Sequence, residues 1–157
     1  MAVPVTRGRQ RRSKKWMPPS QRELNPAMIA VDTNILVRLV TRDDDVQARR
    51  AAALFEREEI FVSKTVLLET EWVLRFSYEL TRPVILNALK NAAGLPQVTV
   101  EDSPAVAEAL DLFETGMDFA DALHLASSQG AVRFATFDER LKKSADTAAP
   151  GRQVAMA

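Results

Sequence analysis

Residues 28–40, MIAVDTNILVRLV, decide the fold that the rest of the chain follows. The apolar run MIAV predicts a short buried strand, and Asp32 or Thr33 then caps a helix formed by NILVRLV. A buried strand that leads at once into a helix is the first unit of an alternating α/β pattern. Because Asp32 comes directly after the strand, it is also the first candidate for a functional side chain.

The same alternation continues toward the C-terminus. Further strands are predicted at 60–62, 97–100 and 132–136, with a small edge strand at 153–156. The predicted helices cover 43–58, 64–80, 81–91, 103–115, 118–128 and 138–144. Short apolar strands that alternate with helices predict a parallel sheet of four to five strands, with helices on both faces.

The composition excludes several kinds of site. A chain of 157 residues that is 46% hydrophobic suits one domain with a substantial core. It has no cysteine, which excludes disulfides and cysteine nucleophiles and fits a reducing cytoplasm. A single histidine excludes a multi-histidine zinc site. No apolar run approaches the roughly 20 residues that span a bilayer, so no membrane association is expected.

Residues 1–27 are a basic extension unlike the rest of the chain. Seven basic side chains stand against Glu23 alone, a net charge of +6, whereas residues 28–157 carry 14 basic and 20 acidic side chains, a net charge of −6. The extension has no sustained period and is predicted to be disordered. Its sequence is compatible with a nucleic-acid-binding arm or a targeting peptide. We favour a third interpretation, in which it is not part of the working protein and the functional domain covers 28–157.

Two carboxylates are placed by the predicted strands. Asp32 follows the first strand directly, and Asp138 comes two residues after the strand at 132–136. In open parallel α/β sheets, ligands bind beyond the carboxyl ends of the strands. We therefore expect both side chains at one edge of the sheet.

A third carboxylate, Glu69, lies within the long predicted helix. On a helical wheel of about 100° per residue, Glu69 falls on the same side as Trp72 and Phe76, while Glu71 falls beside Arg75. This phase predicts that Glu69 faces the apolar interior and that Glu71 forms a surface ion pair. Since a buried carboxylate without a partner is costly or has a raised pKa, Glu69 is expected to need a cation.

Asp118 and Asp121 begin the predicted helix at 118–128. Asp118 is suited to the N-cap and Asp121 to the first turn, where a carboxylate interacts favourably with the helix dipole. For Asp118, simple capping is as good an explanation as a catalytic role. The apolar segment after Asp121 indicates that this side chain faces inward, which capping alone does not explain.

Four carboxylates at one sheet edge would repel one another strongly, and a divalent cation would relieve that repulsion. Carboxylate oxygens, without cysteine and with almost no histidine, favour Mg²⁺ or Mn²⁺ over Zn²⁺. An ion held in this way can activate water and polarise a phosphodiester bond. Spacing alone does not distinguish this hypothesis from the alternative that the acids are simply scattered over an ordinary α/β domain.

Four motifs occur in order along the chain: AVDTNILVRL, VLLETEWVLR, DFADALHLA and ATFDERL. Together they resemble the PIN-domain ribonucleases, and in particular the VapC toxins of bacterial VapBC toxin–antitoxin pairs. The resemblance covers nearly all of residues 28–145. It implies an αβα sandwich, Mg²⁺-dependent endonucleolytic cleavage of RNA, a homodimer and a cognate VapB-type antitoxin.

The resemblance also implies roles for individual residues. The four acids of the family map to Asp32, Glu69, Asp121 and Asp138. Two auxiliary polar positions map to Asn34, after the first acid, and to Thr136, before the fourth. The basic extension before Met28 departs from the family, whose members usually begin close to the first strand.

Several other side chains have competing interpretations. His124, one turn after Asp121, is better explained by helix packing than by proton transfer. Trp72 and Phe76 could stack on RNA bases, but core or dimer packing is the favoured explanation. Candidate phosphate contacts are Arg38, Arg42, Lys64, Arg82, Arg140, Lys142 and Lys143.

Two further hypotheses remain open from the sequence. The first is a PIN-domain nuclease that acts in RNA processing or DNA metabolism outside a toxin–antitoxin pair. The second is a non-enzymatic RNA-binding or scaffold domain, whose acids only cap helices.

Overall fold

The computed structural model describes residues 27–157, so the predictions for the basic extension lie almost entirely outside it. Helices and short strands alternate through the described residues, and none of these helices is long and apolar enough to cross a bilayer. The helices are α1 (Thr33–Thr41), α2 (Asp45–Arg57), α3 (Lys64–Phe76), α4 (Arg82–Ala93), α5 (Ser103–Glu114), α6 (Phe119–Ser127) and α7 (Glu139–Ala148). The strands are β1 (Ile29–Ala30), β2 (Ile60–Val62), β3 (Val98–Val100), β4 (Phe134–Thr136) and β5 (Val154–Met156).

Most helices begin where the sequence predicts because a helix cap is a local interaction. Ser63 caps α3 and Asp44 caps α2, each through its side-chain oxygen and a backbone N–H of the first turn. These oxygens satisfy N–H groups that have no partner within the helix. The small edge strand at the C-terminus is also confirmed, as β5.

The end of α3 differs from the prediction. The helix stops at Phe76 and does not continue to residue 80. The backbone N–H of Tyr78 bonds back to the carbonyl of Val73 at 3.3 Å, and Glu79 adopts a left-handed conformation with φ of 52°. A left-handed residue just after a helix closes its last turn. An apolar sequence such as FSYEL does not reveal this closure.

The five strands are all parallel and, with the helices, confirm the predicted αβα arrangement. They fall into two hydrogen-bonded sets, however, and do not form one continuous sheet. One set has the order β1-β2-β3, and the other pairs β4 with β5. Each strand has only two or three residues, so register is carried by few pairs, such as Ile60 opposite Val98.

The hydrophobic core lies around β2, β3 and the packed helices α5 and α6. Phe113 and Phe119 meet edge to face there, with ring centroids 5.5 Å apart. The first strand is less buried than predicted, since Ile29 and Ala30 are exposed and only Val31 enters the core. β1 and β3 are both edge strands of their set, but β3 is covered by α4 and α5, whereas the main contacts of β1 are with β2.

Candidate functional site

The candidate acids are concentrated at the starts of helices. Asp32 caps α1 by accepting a hydrogen bond from Ile35 N–H at 3.0 Å. Asp138 caps α7 through two backbone N–H groups, at 2.7 and 3.1 Å. Asp121 lies in the first turn of α6, which Asp118 caps. Each of these carboxylates is therefore held next to the positive end of a helix.

Glu69 is tied to the start of α1. The hydroxyl of Thr33, a side chain only 8% exposed, donates a hydrogen bond to Glu69 Oε2 at 2.5 Å. Because Thr33 directly follows Asp32, this contact brings the helical glutamate to the end of α1 that Asp32 caps. Glu69 and Asp32 are thus both held at the start of α1, the first through the Thr33 hydroxyl and the second as the helix cap. The sequence indicates Thr33 only as an alternative cap.

The predicted orientation of α3 is wrong. Glu69 is exposed, whereas Glu71 is only 1% exposed, on the face that also buries Leu67, Thr70 and Leu74. The wheel was centred on the aromatic side chains, but the core is formed by the leucine side of the helix. The argument that Glu69 needs a cation because it is buried therefore fails, although its contact with Thr33 keeps it a site candidate.

The buried Glu71 belongs to an ion-pair network that joins α3 to α6. Arg75 Nε lies 3.1 Å from Glu71 Oε1, close enough for an ion pair but without hydrogen-bond geometry. Arg75 Nη1 donates to Asp118 Oδ2 at 2.9 Å, while Asp118 Oδ1 accepts the cap bond from Ala120 N–H. Both oxygens of Asp118 are thus occupied, which favours the capping explanation for this residue.

The charges in this network have opposite effects on its two acids. Burial raises the pKa of Glu71, and the charge of Asp118 adds to the rise, while Arg75 opposes it. Burial would also raise the pKa of Asp118, but the Arg75 guanidinium and the cap hydrogen bonds lower it below its ordinary value. The arginine therefore keeps Asp118 charged at the start of α6.

Asp121 experiences the strongest accumulation of like charge among the candidates. Its pKa is raised by burial first, and then by the negative charges of Asp118 and Asp138. Asp138, which caps α7, is therefore within electrostatic range of the first turn of α6. His124 opposes the rise, and its side chain is exposed, so the prediction that it packs between helices is wrong.

The two auxiliary positions have different surroundings. The hydroxyl of Thr136 accepts a hydrogen bond from the backbone N–H of Asp138 at 2.9 Å, which orients the cap of α7. Asn34 is exposed and lines a groove of about 360 Å³ between α1 and α2, together with Ile35 and Leu54. Thr136 thus supports a candidate acid directly, whereas Asn34 shows no such contact.

The four acids fall in two places: Asp32 and Glu69 at the start of α1, and Asp121 within electrostatic range of Asp138. Between residues 27 and 157, no three acidic or histidine side chains are close enough together to hold one metal ion. The donor chemistry nevertheless fits a hard cation, since these sites offer only carboxylate oxygens. Burial and the like charges of Asp118 and Asp138 both disfavour the charged form of Asp121, and a bound cation would offset that effect.

The seven candidate phosphate contacts are not equally available. Four are engaged within the protein: Arg38 with Asp43, Lys64 with Asp102, Lys142 with Asp146, and Arg82 with the carbonyls of Phe113 and Met117. Within the described part of the chain, Arg42, Arg140 and Lys143 have no carboxylate at salt-bridge distance.

The aromatic residues of α3 form an exposed pair. Trp72 is 54% exposed and Phe76 57%, with ring centroids 5.3 Å apart. Arg75 lies over the Phe76 ring at 4.7 Å. Core packing is therefore excluded for both rings, while dimer packing and base stacking remain open.

Comparison with protein families agrees with this architecture. The family described as the PIN domain matches residues 29–146, which is most of the chain and includes all four candidate acids. Searches of curated proteins and of solved structures gave no significant match.

Proposed function

Because the chain belongs to the PIN domain family, we propose that it is a Mg²⁺- or Mn²⁺-dependent endoribonuclease and the toxin of a VapBC-type pair. PIN domains are generally metal-dependent nucleases, and family membership by itself indicates that general activity. The choice of RNA, the metal and the toxin role are our extension of it. They rest on the motifs and on the arrangement of the acids.

The feature that most supports the proposal is that acids from two helix starts act on each other: Asp118 and Asp121 begin α6, and Asp138, which caps α7, is within electrostatic range of Asp121. Its carboxylate faces the charges of Asp118 and Asp138, and only the first of these is offset by an arginine. Capping and the helix dipole explain Asp118 and Asp121, but they do not explain the negative charge of Asp138, which belongs to another helix. A carboxylate whose pKa is raised by burial and by such neighbours supports a functional site.

We assign roles to the four acids from the family motifs, since the described residues do not bring three of them together around one ion. Asp32 and Asp121 would hold the metal ion most directly, and Glu69 and Asp138 would complete the set or orient the attacking water. When bound, the ion polarises the phosphodiester and stabilises the leaving oxygen. Thr33 fixes Glu69, and Thr136 fixes the backbone of Asp138, so the carboxylates are held in place before substrate arrives.

Two protein partners follow from the same proposal. A second copy of the chain would cover the exposed Trp72–Phe76 pair, because exposed aromatic rings are typical of interfaces. An antitoxin helix would occupy the groove between α1 and α2. The groove is lined by Ile35 and Leu54, and Arg50 at its edge could pair with an acidic residue. We expect this toxin to act in the cytoplasm.

Cleavage of labelled single-stranded RNA by the full chain, freed of antitoxin, tests the activity. With Mg²⁺ or Mn²⁺ the parent should cut, and Asp32→Asn and Asp121→Asn should each lose at least about a hundredfold in rate. Asp111→Asn, an exposed acid on α5, serves as the matched control and should keep its activity. An antitoxin-free parent that cuts no RNA, with Asp32→Asn identical to it, would refute the proposal.

Two further measurements separate the alternatives. Induced expression should arrest host growth if the protein is a toxin, and Asp121→Asn should relieve the arrest. A nuclease with a housekeeping role would cut RNA without that arrest. A scaffold domain would show no thermal stabilisation by millimolar Mg²⁺ or Mn²⁺, whereas a site filled at 100 times its Kd gains about 2.7 kcal/mol.

A further inference from the structure

Lys143 is distinguished from its neighbour Lys142 by its surroundings. Lys142 Nζ bonds both carboxylate oxygens of Asp146, at 2.7 and 3.0 Å. Lys143 has no carboxylate at salt-bridge distance in the stretch 27–157 and lines a cleft of about 390 Å³. Two consecutive lysines on one helix thus differ in whether their charge is already neutralised.

The cleft has the lining expected of an anion site. Its walls are the end of α5 with the following turn, and one face of α7. No carboxylate residue is among those walls: they are Thr115, Gly116, Met117, Lys143, Ser144, Thr147 and Ala148. The hydroxyls of Thr115 and Thr147 donate back to helix carbonyls, so the Lys143 ammonium and the Ser144 hydroxyl are the donors left for a ligand.

The two walls of the cleft belong to segments that also carry Asp118 and Asp138. Met117, in one wall, immediately precedes Asp118 at the start of α6. The other wall belongs to α7, which Asp138 caps, and Lys143 lies about 7 Å along the helix axis from that cap. An anion in the cleft would therefore lie beside the proposed reaction centre and not within it.

We propose that this cleft binds a backbone phosphate of the RNA strand that flanks the phosphate being cleaved, through Lys143 and Ser144. The inference rests on the proposed function, since it takes RNA as the substrate. A phosphate contact here would position the RNA strand on a domain whose net negative charge would otherwise repel the RNA backbone. Free inorganic phosphate has the same chemistry as a backbone phosphate. The two ligands are distinguished by measuring the binding of each to the parent and to Lys143→Ala.

The test compares two adjacent lysines in full-length protein that carries Asp32→Asn to prevent cleavage. Fluorescence anisotropy with a short labelled single-stranded RNA gives affinity across a series of salt concentrations. Lys143→Ala should weaken binding roughly tenfold and reduce the salt slope of log K by about 0.7, the value for one phosphate contact on a single strand. Lys142→Ala, already paired with Asp146, should change both quantities far less.

Two further variants keep the result interpretable. Lys143→Arg should restore most of the affinity, and Ser144→Ala should weaken binding severalfold without any change of charge. Circular dichroism melting of each variant checks that the fold is intact. If Lys143→Ala is misfolded, the Ser144→Ala result decides the inference.

Specific outcomes overturn the inference. If Lys143→Ala and Lys142→Ala lose the same RNA affinity, the effect is general charge attraction and not a specific contact. If Ser144→Ala binds RNA as tightly as the parent, the cleft does not contact RNA. If Lys143→Ala abolishes the binding of millimolar inorganic phosphate but leaves RNA affinity unchanged, the cleft binds free phosphate and not RNA. If the lysine difference holds but the parent cuts no RNA, the proposed activity fails while the phosphate contact stands.

Discussion

Replacing Arg75 by methionine should destabilise the protein because it leaves Glu71 buried without its cation. Glu71 is 1% exposed and Arg75 Nε is its nearest positive charge, at 3.1 Å. Removing one partner of a buried ion pair costs about 3–5 kcal/mol. Since the Arg75 side chain is 35% exposed and solvent screens part of the attraction, we expect about 3 kcal/mol.

Urea unfolding followed by circular dichroism at neutral pH measures this loss. A domain of this size should also melt roughly 10 °C lower. The matched control is Arg140→Met, which removes an arginine that has no carboxylate at salt-bridge distance in residues 27–157. This exposed substitution should change stability by no more than about 0.5 kcal/mol.

Acidification provides a second readout of the same variant. Burial raises the folded-state pKa of Glu71, so the folded protein holds that proton more tightly than the unfolded chain does. Protonation therefore favours folding, and the contribution is lost as pH rises through the folded-state pKa. The loss of unfolding free energy in Arg75→Met, relative to the parent, should become smaller as the pH is lowered toward the raised pKa of Glu71. The reason is that a neutral Glu71 needs no cation.

A double-mutant cycle with Glu71→Gln completes the experiment. The glutamine variant removes the buried charge, so Arg75→Met in that background should cost clearly less than in the parent. A loss in Arg75→Met that matches Arg140→Met, or a cycle with no coupling, would refute the conclusion that this arginine compensates a buried charge.

Three other substitutions test separate contacts. Thr33→Val removes the hydroxyl that holds the helical glutamate, so RNA cleavage should fall about tenfold in an activity assay while stability changes by about 1 kcal/mol or less. Trp72→Ala with Phe76→Ala should convert a dimer into a stable monomer in light scattering, and an unchanged mass would exclude this face as the dimer interface. Arg152→Ala removes the ion pair that ties the segment before β5 to α5, at 2.6 Å. It should cost about 1 kcal/mol and increase hydrogen exchange in β5, and unchanged exchange would contradict the role of this ion pair.

The features that the sequence predicts well are those decided within a few residues. Asp32 and Asp118 cap their helices as predicted, because each side-chain oxygen reaches an N–H group only two or three positions ahead. The strand at Ile60–Val62 is found where it is expected, since its apolar run is bounded by acids and a cap. Such interactions depend on local spacing and can be inferred without knowing how the chain packs.

The orientation of α3 could not be predicted in this way. On a helical wheel, the large aromatic side chains of α3 indicate that their side faces the core. In the structure, the opposite result is found, and the face with Leu67 and Leu74 is buried. Glu71 can be buried on that face because Arg75 lies one turn ahead and Asp118 approaches from α6. The first of these partners is visible as an i,i+4 pair, but the second comes from a residue 43 positions from Arg75. Only the assembled helices show that this pair lies half inside the protein.

The same long-range contacts connect the fold to the proposed chemistry. Arg75 neutralises Asp118, and this fixes the first turn of α6, where Asp121 lies. Because the arginine is directed at Asp118, the negative charge of Asp138 near Asp121 is not offset by it. The core therefore stabilises the helix that carries Asp121 while leaving its carboxylate beside a second negative charge. In the proposed metal-dependent activity, a cation bound beside Asp121 would offset the negative charge that Arg75 leaves uncompensated, while the ion pair of Arg75 with Asp118 holds the helix that carries it.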